Sequence, residues 1–115
     1  MEKQSLFKNL TFEQALPFAA LVDYQPGTVV SRTLAQNKAA NVTLFAFAAQ
    51  EEISSHTSSG DALVIALDGE ASVTIGGKTH ALSAGEAIVM PAGIPHAVLA
   101  TAPFKMLLVV MFPVE

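Results

Sequence analysis

Short strand-length runs, each closed by a turn signal, fill this chain from Val29 to Phe112. Residues 29–34 read as a strand, 42–48 and 62–67 are apolar runs of strand length, and Asp68-Gly69 turns the chain after the third. Alternation is clearest at 70–75, where Ala71, Val73 and Ile75 share one face and Glu70, Ser72 and Thr74 the other. Gly76-Gly77 follows as a two-residue hairpin turn, because glycine tolerates the positive φ such a turn requires. Further strand-like segments cover 78–82, 87–91, 96–101 and 104–112. Turn signals about every 8–12 residues predict an all-β sandwich, barrel or jelly roll.

Two runs carry an extra message. Residues 42–49 and 106–112 are apolar at nearly every position, whereas a strand with one wet face should alternate. Both faces are therefore expected to be covered, either by a second copy in a two-fold homodimer or by the N-terminal segment laid over the sheet. Composition favours the second copy: 51% of the chain is hydrophobic and only 14% charged, little charge for a lone small domain to cover its outside.

The 115 residues fit a single domain, 1–115. Residues 36–41 read as a polar loop and 1–41 as an N-terminal segment with strands that contribute to the dimer. Thr11 and Gln14 match a capping box, and Pro17 disfavours helix at Leu16, so one short helical turn is predicted around 12–16. With no cysteine, neither a disulfide framework nor a thiolate metal site is available. Net charge is −4 and the six Lys and Arg residues are scattered, which argues against nucleic acid as a partner. No apolar run reaches membrane-spanning length and no secretory pattern precedes the strands, so a soluble, cytoplasmic protein is expected.

The most specific segment is Gly85 to His96. It reads as a turn, a strand ended by Pro91, a tight loop opened by Gly93, and a histidine mounted at the start of the next strand. This resembles the second cupin motif, G-x5-P-x-G-x2-H-x3-N, at Gly85, Pro91, Gly93 and His96, with Ala100 where Asn is often found. The first cupin motif, G-x5-H-x-H-x3,4-E-x6-G, is matched at His56 and Gly69 only. Gln50 stands at its first Gly, Ser58 at its second His and Ala62 at its Glu. The resemblance covers about 42–112. It implies a cupin-type double-stranded β-helix, a jelly-roll barrel, with His56 and His96 facing one another inside.

In better-matched cupins three His and one Glu hold a divalent Fe, Mn, Ni, Zn or Cu ion. Two of those ligands are present here, and Asp61 is the nearby acid that could join them if a bulge after Gly60 turned it inward. The candidate metal ligands are thus His56, His96 and Asp61, and the resemblance implies a degenerate site that holds one divalent transition metal or none. The candidate ligand-binding residues are His56, His96, Ser58 and Met90; Met106 and Met111 are further candidates for an apolar wall. The Ser/Thr cluster at 54–59 more often bonds its own backbone, and His80 reads as a surface or pocket-rim residue. No phosphate loop, nucleophile elbow or nucleophilic Cys is present, and no catalytic residue is assigned. Three functions compete: a small-molecule-binding cupin, a metal-dependent oxygenase or isomerase using His56, His96 and Asp61, and a structural or sensory dimer without catalysis.

Overall fold

A computed structural model describes residues 5–113. Among them nine strands form two antiparallel sheets. The strands are β1 (Val29–Gln36), β2 (Ala40–Phe47), β3 (Glu52–His56), β4 (Asp61–Asp68), β5 (Glu70–Ile75), β6 (Lys78–Ser83), β7 (Ala87–Met90), β8 (His96–Ala100) and β9 (Phe104–Met111). One sheet runs β1-β2-β9-β4-β7 and the other β3-β8-β5-β6. The chain passes repeatedly between the sheets, as a jelly-roll barrel requires.

Alternation decides which side chains go inside. Ala62, Val64 and Ala66 of β4 are buried, as are Ala71 and Val73 of β5, and the residues between them are not. Ala71 and Val73 of the smaller sheet face Phe47, Phe104 and Met106 of the larger one, which lie beside the β4 residues, and together they form the main core. The Phe47 and Phe104 rings lie 5.7 Å apart, centroid to centroid, in a tilted pair. Aromatic contacts of this kind add to what burial alone contributes. The β5–β6 hairpin turns at Gly76 and Gly77, with φ of 56° and 80°, as the sequence predicts.

The apolar run of β2 has its second face covered by the N-terminal segment. Leu10, Phe18, Leu21, Val22 and Tyr24 pack on Leu34, Leu44, Ala46 and Leu107 in a second cluster. Polar contacts pin this cover. The Tyr24 hydroxyl donates to Asp68 at 2.5 Å, Arg32 donates to the Leu21 carbonyl, and Lys105 sits 4.8 Å above the Tyr24 ring. Burial, with Asp68 alongside, pushes the Tyr24 hydroxyl well above its ordinary range, so it stays protonated and donates.

Three local expectations are corrected. The helical turn lies at Phe18–Ala20, as a 3-10 turn after Pro17, and not at 12–16. Glu13 has φ of 60°, which interrupts a helix there, and Pro suits the entry to a helical turn better than its end. The loop at 36–41 shrinks to a tight turn, since Asn37 Oδ1 accepts from the Ala39 and Ala40 amides and lets β2 begin at Ala40. The hydroxyl-rich stretch contains an edge strand, β3, whose exposed Ser54 and Ser55 hide any apolar alternation. Among the described residues no helix is long and apolar enough to cross a membrane.

Candidate functional site

β3 and β8 are neighbours in the smaller sheet, and their register sets His56 directly opposite His96. The two rings are 4.4 Å apart, edge to face. His96 is 3% exposed, whereas His56 stands at the mouth, open to solvent. Both are held the same way: the Ser54 carbonyl lies 2.9 Å from His56 Nδ1, and the Ile94 carbonyl 3.2 Å from His96 Nδ1. A carbonyl oxygen only accepts, so each Nδ1 carries the proton in the neutral ring and each Nε2 keeps its lone pair. Burial, reinforced by neighbouring His56, lowers the His96 pKa below 6.5, while the Ile94 carbonyl pulls weakly the other way. His96 is therefore a neutral acceptor at neutral pH.

Both rings border a cavity of about 380 Å³ between the sheets. Its walls are mostly apolar: Phe45, Met106, Leu108 and Val110 from the larger sheet, Ile53 and Val98 from the smaller. Polar atoms come from Asn41, Thr57, Ser58 and the imidazoles, and among the described residues no Asp, Glu, Lys or Arg lines it. Small size with a few polar groups in an apolar wall is the usual design of a small-molecule site.

Sequence-derived candidates divide cleanly. His56, His96, Ser58 and Met90 all line this cavity. Ser58 also accepts from the Gly60 amide at 3.1 Å, so the expected local backbone bonding and the cavity position coexist. Ala62, at the position of the motif's Glu, faces inward and supplies only a methyl group. Asp61 is not brought to the imidazoles. Pairing between β4 and β9 is regular from Asp61 through Ala66, so the bulge that would turn Asp61 inward is missing. Its Oδ1 instead accepts from the Ala92 amide at 2.8 Å, anchoring the loop that leads to His96. A second tie, from the Gly93 amide to the Ser58 carbonyl at 2.8 Å, holds the same loop. Met106 lines the wall, but Met111 is 56% exposed and outside the cavity. His80 pairs with Val73 at the far edge of the smaller sheet and does not reach the cavity.

Asn41 was missed from sequence because Asn favours turns and the polar stretch before it suggested a loop. Its parity with Phe45 and Phe47 was the available signal. The donor set does not fit a closed metal centre. Among the described residues no three His, Cys, Asp or Glu come together, so two neutral nitrogens would stand without an anionic partner.

Comparison with known proteins agrees with this architecture. The cupin domain family matches residues 43–111. A conserved Streptococcus pyogenes protein of unknown function is 38% identical, over 99% of this chain and 100% of that one, with a TM-score of 0.95. A cupin superfamily protein from Desulfitobacterium hafniense is 33% identical, over 95% and 100%, at a TM-score of 0.90. A cupin 2 conserved barrel domain protein from Leptotrichia buccalis is 41% identical, over 81% of this chain and 45% of that one, at 0.79. No curated protein sequence matches. With the barrel, the two motif histidines and these relatives in agreement, the chain belongs to the cupin family.

Proposed function

We propose that this cupin binds a small, uncharged, apolar-bodied molecule bearing hydroxyl groups, which His56 and His96 orient without a resident metal. One observation carries the reading: two Nδ1-anchored imidazoles 4.4 Å apart border a mostly apolar cavity that no Asp, Glu, Lys or Arg among the described residues lines. A neutral Nε2 accepts a hydrogen bond from a ligand hydroxyl. With no Lys or Arg among the described residues of the walls, a phosphate or carboxylate finds no cationic side chain there to replace its hydration. A site built to accept a hydroxyl rejects the analogue that lacks one, because its polar atoms would then be left unpaired.

The competing reading, a metal-dependent oxygenase or isomerase, draws on the anchored Nδ1 atoms, an arrangement also found behind metal-ligating histidines. Elemental analysis of the purified protein separates the two. The binding reading expects substoichiometric Fe, Mn, Ni, Zn and Cu, unchanged in His56→Ala and His96→Ala. It also expects phenol to raise the melting temperature of the wild type and not of either variant. At a hundredfold excess over Kd the gain is about 2.7 kcal/mol, or on the order of 10 °C for a domain of this size. Stoichiometric metal that both substitutions remove would instead establish the metal-dependent enzyme.

We also infer a two-fold homodimer. On the outer face of the larger sheet Val89 lies opposite Leu63, Leu63 opposite Val109, and Val109 opposite Val42. The N-terminal cover reaches Val42 but leaves Val89 and Met111 more than half exposed, at 53% and 56%. An uncharged, strand-built row of this kind matches a second copy of itself.

A further inference from the structure

Asn41 stands apart in the cavity wall. It sits on β2, a strand flanked on both sides, and shares its inner face with Phe45 and Phe47. Its Oδ1 is buried and finds no hydrogen-bond partner among the described residues. Across the strands it is paired with Val110 of β9 and Gln36 of β1. Val110 offers the amide no polar atom. Buried side-chain polar atoms in folded proteins nearly always have a partner, so an orphan inside a cavity points to a group that arrives from elsewhere. No other side-chain polar atom among the described residues is in this state.

The placement matters as much as the orphan. Asn41 belongs to the larger sheet and the imidazoles to the smaller one, so a mostly apolar cavity presents polar atoms from facing walls. We infer that Asn41 is a specificity-determining residue that receives a second hydroxyl of the ligand, on the wall facing the one that carries His56 and His96. This inference rests on the binding reading above and narrows its ligand to a neutral molecule with polar groups on opposite sides of an apolar body. A hydroxyl answers either orientation of the Asn41 amide, since it both donates and accepts.

The pair phenol and 1,4-dihydroxybenzene isolates the second hydroxyl, with binding followed by calorimetry on the intact protein. Wild type is expected to hold the diol about tenfold more tightly than phenol, the worth of one well-made hydrogen bond. Asn41→Ala, which adds no bulk, should keep phenol affinity and lose the tenfold preference. Asn41→Leu should raise the melting temperature of the ligand-free protein by about 4 °C, because it removes an unsatisfied buried amide from an apolar wall. Equal affinities in the wild type, a preference that survives Asn41→Ala, or a lower melting temperature in Asn41→Leu would each overturn the assignment. Phenol binding without the diol preference would overturn the Asn41 inference alone. Absence of binding by both probes would overturn the binding reading and the inference with it.

Discussion

His96 is where burial, charge and hydrogen bonding meet in one side chain. Its folded-state pKa lies below 6.5, chiefly because burial penalises the imidazolium and secondarily because His56 adjoins it. In the unfolded chain the same ring takes up its proton near 6.5. Below that value the unfolded state therefore binds more protons than the folded one. The stability that comes from keeping His96 neutral is complete above about 6.5 and is lost as the pH falls through the lower folded value. Thermal melts from roughly pH 7 to 5 should thus decline more steeply in the wild type than in His96→Gln. Parallel slopes would mean that the folded ring protonates as freely as the unfolded one. Both cavity histidines were legible in the sequence through their resemblance to the cupin motifs, His96 with its strand and His56 by motif position alone. Asn41 was not, because its residue type points to turns while its parity becomes meaningful only once β2 is known to start at Ala40.

At the scale of elements, the ties between strands set where the site lies. Gly69 makes the corner between β4 and β5 with φ of 73°, and an added Cβ would lie 1.7 Å from the Pro103 carbonyl oxygen. Backbone cannot swing aside as a side-chain tip can. Gly69→Ala should therefore cost on the order of 3 kcal/mol or more, seen as a lower urea midpoint with an unchanged slope. A midpoint within error of wild type would show that the corner relaxes freely. This corner was readable as Asp68-Gly69, and the hairpin as Gly76-Gly77, because positive φ leaves a mark on residue choice. Strand β3 left no such mark. As an edge strand with Ser54 and Ser55 exposed, it gains pairing from β8 rather than from its own pattern. The 3-10 turn was displaced for a related reason: the local capping signal at Thr11 lost to the positive φ at Glu13 and to packing of Phe18 and Leu21 on the sheet.

Across the whole molecule, the sequence showed that the second apolar face must be covered but not by what. The N-terminal segment covers the β2 side, and the row from Val89 to Val109 is the face that the proposed dimer assigns to a second copy. Sedimentation is expected to give twice the 12.0 kDa chain mass, and Val89→Lys to give a single chain mass with its far-ultraviolet spectrum unchanged. A wild type that sediments as one chain would contradict the dimer. The cavity itself follows from the barrel: two sheets packed face to face, with Ser58 and Ala62 where larger side chains would fill the space, leave about 380 Å³ open beside two imidazoles. The most direct check on that claim is the imidazole 15N spectrum at neutral pH, with and without phenol. The Nε2 signals of His56 and His96 should both move while those of His80 stay fixed. If neither moves at saturating phenol, or if only His80 responds, the two rings do not share a ligand-binding cavity.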